Sequence, residues 1–314
     1  MPTVDAIFAA RAAAYNSRTQ YEGYGIGASD LGQDCDRAIF YSLRWASPQE
    51  EIDGRKARIF ERGDIEERRV LDDLRAIGAD VREADPATGK QWRFSLANGF
   101  IRGKADGRIS GIPDAPKSEH VLEIKSLKAS DFRAILKHGL AKAKPMHWHQ
   151  LHAGMAALGI DRGLYIGTNK DTEEILTERV KLDQDQANRQ EARVLSVLDM
   201  HYAPGRISDK SDAFACRFCK HKGVCHDGFA ARRNCRTCIH WTFTEDGNGH
   251  CSRFDEPRKP DQQKRTDCPA HLFLPALVAG EQIDADPDAE TITYRLSDGS
   301  IWIDGESHHQ SKDQ

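Results

Sequence analysis

Apolar positions in the middle of the chain recur with two periods, which predicts a sheet flanked by helices. Residues 64–77 (DIEERRVLDDLRAI) carry apolar side chains at helical spacing, and Gly78 follows as a natural stop. The predicted strands lie at 79–84, 91–96, 100–110, 120–126, 162–168 and 173–180. Further helices are predicted at 130–139, 146–159 and 183–202. This order of elements predicts an α/β fold with a mixed sheet.

Turn residues and helix caps add local detail. Asn98-Gly99 separates two predicted strands and favours a hairpin, as does Asp298-Gly299 near the end of the chain. Residues 1–45 are predicted to be helical, with Ser29 or Asp30 capping a second helix that runs through Cys35.

Residues 214–271 hold seven of the eight cysteines and few aliphatic residues. Such a segment cannot build an ordinary core, so we expect metal to stabilise it.

Composition narrows the class of protein. The chain has 314 residues and is 39% hydrophobic, and it contains no apolar run of the roughly 18 residues that a membrane span needs. The first residues, MPTVDAIFAARAAAY, lack a secretion signal. We therefore expect a cytoplasmic protein without a membrane partner. In that compartment, cysteines favour metal over disulfides.

The net charge of −4 hides a strong asymmetry. Residues 281–314 carry nine acidic and two basic residues, so the rest of the chain is net positive. The stretch 128–144 carries five basic residues and one acidic residue. This stretch would suit the phosphate backbone of nucleic acid, or it is simply a solvated helix face.

Three residues on neighbouring predicted strands suggest catalytic chemistry. Glu123 and Lys125 are two residues apart, so a strand points both side chains the same way. Asp106 precedes them on the adjacent strand. Two carboxylates close together need a cation, and Mg²⁺ accepts both carboxylate and phosphate oxygens. The alternative is a surface ion pair of little energetic value.

The pattern resembles the PD-(D/E)XK nuclease superfamily. The resemblance rests on Gly103-x-x-Asp106 followed by Glu123-x-Lys125, and it covers roughly residues 30–230. Gly63-x-x-x-Glu67 is similar to the first motif of RecB-type exonucleases, in which spacing favours Glu67 over Glu66. Gln150 matches the Gln of the Q-x-x-x-Y motif, whereas Gly154 stands at the Tyr position and Ala105 replaces the Pro.

This resemblance implies a restriction-endonuclease-like core, a mixed central sheet flanked by helices, and a Mg²⁺- or Mn²⁺-dependent deoxyribonuclease. Glu67, Asp106 and Glu123 would hold the metal, and Lys125 would position or deprotonate water. The remaining candidates for catalysis or DNA binding are Gln150, Arg37, Lys128, Arg133 and Lys137. The expected substrate is single-stranded DNA or duplex ends, with a recombination or replication protein as a possible partner. The alternative is a non-catalytic DNA-binding protein that retained the fold.

The cysteines form two sets. Cys216-x2-Cys219-x5-Cys225 together with Cys35 resembles the [4Fe–4S] arrangement of CRISPR-adaptation exonucleases and AddB-type helicase–nucleases. The alternative is a zinc triplet completed by His221 or His226. Cys235-x2-Cys238-x12-Cys251-x16-Cys268 has the spacing of a zinc module. With Trp241, Phe243 and Phe254 nearby, this segment could contact DNA, or it could equally be a scaffold or a protein-docking module.

The predicted organisation therefore has three parts. Residues 1–230 would form the nuclease domain, which the iron–sulfur cluster closes. Residues 231–275 would form the zinc-type, cysteine-rich metal module. Residues 276–314 would form an acidic tail with a β-hairpin.

Overall fold

A computed structural model describes residues 1–17, 25–244 and 247–305. The helices are α1 (Pro2–Asn16), α2 (Asp36–Leu43), α3 (Gly54–Ala76), α4 (Ala129–His138), α5 (Leu140–Ala143), α6 (Pro145–Leu158), α7 (Gln184–Leu198), α8 (Phe214–Arg217), α9 (Lys222–Cys225) and α10 (Pro260–Gln263). The strands of the first two sheets are β1 (Ile26–Gly27), β2 (Asp80–Arg82), β3 (Arg93–Leu96), β4 (Ile101–Lys104), β5 (Gly107–Ser110), β6 (His120–Leu127), β7 (Arg162–Asn169) and β8 (Ile175–Lys181). The remaining strands are β9 (Trp241–Phe243), β10 (Gly249–Cys251), β11 (Glu256–Arg258), β12 (Gly280–Asp286), β13 (Thr291–Leu296) and β14 (Ile301–Asp304).

A five-stranded sheet in the order β2-β5-β6-β7-β8 forms the centre of the molecule. Strands β6 and β7 run parallel, and the other pairs are antiparallel. Because β6 has a helix layer on each face, its sequence HVLEIKSL is almost continuously buried. Leu122 and Ile124 pack with α3, whereas Val121 packs with residues of α4 and α6 on the opposite face. The predicted mixed α/β fold is therefore confirmed.

The predicted strand 100–110 is wrong as a single strand. Its first half, β4, belongs to a separate three-stranded sheet in the order β1-β4-β3, and its second half, β5, joins the central sheet. At the crossing, the Ala105 amide donates to the Trp92 carbonyl, whereas the Asp106 amide donates to the Leu122 carbonyl. The chain changes hydrogen-bonding partners between these two residues, which brings Asp106 beside β6.

The predicted helix start at Ser29 or Asp30 is also wrong. Residues 28–30 form one 3₁₀ turn, and α2 begins only at Asp36, with Cys35 at its N-cap position. Between them Gly32 passes the start of α6 so closely that an added Cβ would lie 2.5 Å from the Met146 Cα. The predicted helix 64–77 begins earlier, because the Asp53 side chain accepts from the Lys56 amide and caps α3.

The cysteine-rich part has a small three-stranded sheet in the order β11-β10-β9 and several short helical turns. Arg236, which is fully buried, ties this part to the N-terminal part. Its guanidinium donates to the carbonyls of Leu43 and Gly247 and to the Gln263 side chain, and it lies 3.8 Å from the Trp45 ring centroid. The boundaries predicted at residues 230 and 275 stay a prediction.

The hairpin around Asp298-Gly299 is confirmed as β13 and β14. It gains a third strand, β12, whose residues are all exposed, which is why it has no core-facing alternation to predict it. Residues 306–314 of the acidic tail, and 18–24 of the predicted N-terminal helices, lie outside the described residues. No helix in the described ranges is long and apolar enough to cross a membrane.

Candidate active site and cysteine clusters

Strand β6 brings a carboxylate and an ammonium together at the heart of the sheet. Glu123 is only 2% exposed, and its Oε1 forms an ion pair with the Lys125 Nζ. The Lys125 side chain keeps 27% of its surface exposed, so solvent reaches this pair from the lysine side. Among the described residues, the only partner shown for Glu123 Oε1 is the Lys125 ammonium.

Asp106 is attached to the same strand. Its Oδ2 accepts a 2.7 Å hydrogen bond from the Ile124 amide, and its own amide donates to the Leu122 carbonyl. Asp106 is 7% exposed. Because Ile124 lies between Glu123 and Lys125, the Asp106 carboxylate is fixed next to both.

Helix α3 contributes Glu67. Burial raises the pKa of Glu67, and the Asp106 carboxylate raises it further. The ammonium groups of Lys104 and Lys125 lower this pKa, but they do not cancel the rise. The neighbouring Glu66 lies 4.0 Å from Arg69, which also pairs with Glu173. Of the two adjacent carboxylates on α3, Glu67 therefore belongs electrostatically to the Asp106 group and Glu66 to an ion-pair network beside it.

The charges of this site act on Glu123 and Lys125 in opposite directions. Burial raises the pKa of Glu123 to about 7, and the Asp106 and Glu67 carboxylates add to the rise, although Lys125 opposes it. Burial alone would lower the pKa of Lys125, but the carboxylates of Glu123, Asp106 and Glu67 raise it on balance. The site therefore holds three carboxylates against the ammonium groups of Lys125 and Lys104, a balance that favours a further cation.

Two residues that sequence reasoning did not assign to the site adjoin it. Tyr165 stands opposite Glu123 in the β6–β7 register, and its hydroxyl lies 2.9 Å from His147 Nδ1. Burial lowers the pKa of His147 to about 3, and the ammonium groups of Lys125 and Lys144 lower it too. Strand register, which no local motif encodes, brings Tyr165 to this position.

The predicted DNA-contact residues differ in their surroundings. Gln150 is half-buried on α6, whereas Arg133 and Lys137 are exposed on α4, and Lys128 just before α4 lies 3.8 Å from Asp131. Arg37 donates to the Tyr41 hydroxyl and the Pro204 carbonyl and lines a cleft of about 640 Å³. The Arg37 side chain therefore helps to hold the fold together through these two hydrogen bonds.

The position of the missing motif tyrosine is filled by neighbours. Gly154 is buried, and a Cβ added there would lie 3.4 Å from Phe94 and 3.5 Å from Val121. Since these contacts already fill the space, α6 has no room for a tyrosine at residue 154. The packing around residue 154 therefore accommodates glycine and excludes the tyrosine of the motif.

The histidines beside Gln150 are interior residues. The His152 ring stacks at 3.7 Å against Trp148, and its Nδ1 lies 2.9 Å from the Trp148 carbonyl oxygen. His149 is half-buried, and burial lowers its pKa.

The first cysteine set converges from both ends of the predicted nuclease part. All eight cysteines of the chain are free thiols. Burial raises the pKa of Cys216 and of Cys219, and in both cases Cys35 and Cys225 raise it further. The ring nitrogens of His221 each lie 2.8 Å from a serine hydroxyl, of Ser42 and of Ser47. His221 is thus engaged elsewhere and does not complete a zinc triplet.

The second set lines one small cavity of about 20 Å³, formed around Cys235, Cys238, Cys251 and Cys268. Burial raises the pKa of Cys238 to about 11, and Cys268 and Cys251 contribute to the rise. Trp241 is buried and packs edge-to-face with the half-buried Phe243, so its ring belongs to the interior of this part of the chain. Phe254 is 41% exposed.

In none of these three sets do the side chains lie close enough together to hold a metal ion. Within the described parts of the chain, no group of three or more His, Cys, Asp or Glu side chains has an arrangement that could hold a metal ion. The donor types nevertheless fit the expected metals, since carboxylates suit Mg²⁺ and thiolates suit zinc or iron. Binding an ion would require these side chains to draw closer together.

Comparison with known proteins gives distant likenesses. No family model and no curated protein matches the chain. The crystal structure of SSO0001 is similar at 17% identity and a TM-score of 0.42, covering 72% of this chain and 96% of that one. LHK-Exo, an alkaline exonuclease from Laribacter hongkongensis, is similar at 16% identity; its complex with dAMP has a TM-score of 0.41 and covers 62% of this chain and 90% of that one. These TM-scores and identities are too low to assign a function, so the function is inferred from the side chains of this chain.

Proposed function

We propose that this chain is a PD-(D/E)XK-type nuclease that uses a divalent metal to hydrolyse phosphodiester bonds of DNA, working from strand ends as an exonuclease. The single observation that carries the proposal is the buried Glu123 carboxylate, with Asp106 hydrogen-bonded to its strand and Lys125 paired to it. A structural ion pair needs one carboxylate. Three carboxylates beside the ammonium groups of Lys125 and Lys104, with the Glu123 carboxylate almost fully buried, are what a cation site requires.

Glu67, Asp106 and Glu123 would hold one or two Mg²⁺ or Mn²⁺ ions. A bound ion would lower the pKa of a water molecule and neutralise charge on the phosphate. The exposed part of Lys125 would bind a phosphate oxygen or hold the attacking water, while its pairing with Glu123 fixes its direction. Gln150 and the cations Lys128, Arg133 and Lys137 would hold the phosphate backbone of the DNA.

The cysteine sets would hold structural metal. We propose a [4Fe–4S] cluster on Cys35, Cys216, Cys219 and Cys225, supported by the mutual effects on thiol pKa values within this set. We propose zinc on Cys235, Cys238, Cys251 and Cys268, supported by the cavity that they share. Iron, acid-labile sulfide and zinc measured after anaerobic purification test both assignments. Protein free of iron would refute the first, and protein free of zinc would refute the second.

Digestion of end-labelled single- and double-stranded DNA tests the nuclease proposal. We expect degradation in Mg²⁺ or Mn²⁺ that EDTA abolishes, and Lys125→Ala should slow it by about 10²–10⁴-fold, the range for a residue that positions or transfers a proton. Lys117→Ala, which removes an exposed lysine from the loop before β6 that has no assigned role in binding, is the matched control and should keep most of the rate.

Intact DNA after incubation with soluble, metal-replete protein would overturn the proposal. If that protein still bound DNA, the result would favour the non-catalytic reading instead.

A further inference from the structure

Two phenylalanine rings stand out in solvent next to the first cysteine set. Phe214 is 83% exposed and Phe218 is 79% exposed. They are four residues apart at helix α8, with Arg217 between them. The Arg217 guanidinium lies 5.5 Å from the centroid of the Phe214 ring and 4.7 Å from that of Phe218. We call Phe214, Arg217 and Phe218 the aromatic platform.

Basic residues predominate in the segment that carries the platform, between Asp212 and Asp227. Residues 213–226 contain three cations, Arg217, Lys220 and Lys222, and no acidic residue. Lys220 is half exposed, and its Nζ lies 3.5 Å from Asp30. Single exposed apolar side chains are common on protein surfaces, whereas neighbouring exposed rings such as Phe214 and Phe218 mark a candidate binding site. A partner for this surface must therefore combine flat apolar groups with negative charge.

We propose that the aromatic platform binds single-stranded nucleic acid, with bases stacked on Phe214 and Phe218 and phosphates held by Arg217 and Lys220. Duplex bases are already stacked on each other and offer no free face, whereas unpaired bases do. This inference rests on the proposed nuclease function, and it names the form of its substrate: a single strand, delivered or trapped beside the first cysteine set.

Binding is measured by fluorescence anisotropy of a labelled oligo-dT strand with the full chain in EDTA, where cleavage cannot interfere. We expect Phe214→Ala and Phe218→Ala each to weaken binding about tenfold, as the loss of one base–aromatic stack does. Phe218→Trp should restore affinity, whereas Phe218→Leu should not, because leucine keeps apolar area without a stacking face. Duplex binding should change little. Tyr202→Ala removes an exposed ring outside the platform and is the matched control.

Quenching of 2-aminopurine placed in the strand reports stacking directly and should be lost in the alanine variants. Thermal melting and the thiol-to-metal absorbance of each variant check that the neighbouring cysteines are undisturbed. Unchanged affinity in both alanine variants, or equal binding by Phe218→Leu, would overturn the inference.

The two proposals fail separately. Strand binding that depends on the platform without any metal-dependent cleavage would refute the nuclease function alone. Metal-dependent cleavage with platform-independent binding would refute the platform alone.

Discussion

Burying Glu123 costs the metal-free protein stability, and Glu123→Gln should recover it. The side chain is 2% exposed, and burial raises its pKa from an ordinary 4.5 to about 7. Each unit of pKa difference between the folded and unfolded chain is worth about 1.4 kcal/mol, so the charged form of Glu123 opposes folding by about 3 kcal/mol.

The sign follows from the protons bound. Between pH 4.5 and about 7 the folded chain holds a proton on Glu123 that the unfolded chain has released. This carboxyl therefore makes the protein less stable as pH rises through that window. Glu123→Gln carries no charge at any pH. It should raise the free energy of unfolding by about 3 kcal/mol at pH 8 and change it little at pH 4.5.

Urea unfolding in EDTA at the two pH values measures the effect. Glu119→Gln is the matched control, because hydrogen bonding and pairing with Arg108 lower the pKa of Glu119. Its neutral variant should lose stability at pH 8, opposite in sign to Glu123→Gln. Adding Mn²⁺ at pH 8 should stabilise the wild type and leave Glu123→Gln unaffected.

A Glu123→Gln protein that is less stable than the wild type at pH 8 would refute this reasoning. So would a difference between the two proteins that is the same at both pH values. Either result would mean that the pair with Lys125 outweighs the burial of the carboxylate.

Two further predictions concern packing, and urea denaturation measures both. Gly154→Ala should stabilise the protein by about 0.5–1 kcal/mol, because the new Cβ makes ordinary contacts with Phe94 and Val121 and glycine within a helix is costly. Gly154→Tyr should destabilise the protein by about 3 kcal/mol through overpacking. A Gly154→Tyr protein as stable as the wild type would contradict the conclusion that the space around residue 154 is filled. Arg236→Met should lower the free energy of unfolding by about 3–5 kcal/mol, because it removes the donors to the buried Leu43 carbonyl and to the Gln263 side-chain oxygen. A loss below about 1 kcal/mol would show that these hydrogen bonds stabilise the fold little.

Local signals in the sequence predicted the hairpins and the central strands well. Asn98-Gly99 adopts the positive φ values that such a turn needs, and the buried run of β6 is visible as continuous apolar residues. The break between β4 and β5 was not predictable, because it depends on two sheets offering partners to neighbouring amides. Strand β12 was missed because every residue in it is exposed.

Some features of the candidate site can likewise be predicted from the sequence, whereas others depend on strand pairing. The side-by-side placement of Glu123 and Lys125 follows from strand geometry alone. The bond from the Ile124 amide to Asp106 needs the register of β5 against β6. The position of Tyr165 opposite Glu123 needs the parallel pairing of β6 with β7. These pairings join residues distant in sequence, so no short motif contains them.

The rate of DNA cleavage by Glu123→Gln under single-turnover conditions in saturating Mn²⁺ tests the central claim most directly. The account predicts that the variant is folded and more stable than the wild type at pH 8, yet cleaves at least about 10³-fold more slowly, since a metal ligand is worth several kcal/mol in the transition state. Loss of folding then cannot explain loss of activity. Cleavage by Glu123→Gln within about tenfold of the wild-type rate would contradict the assignment of this buried carboxylate to a metal-dependent nuclease centre.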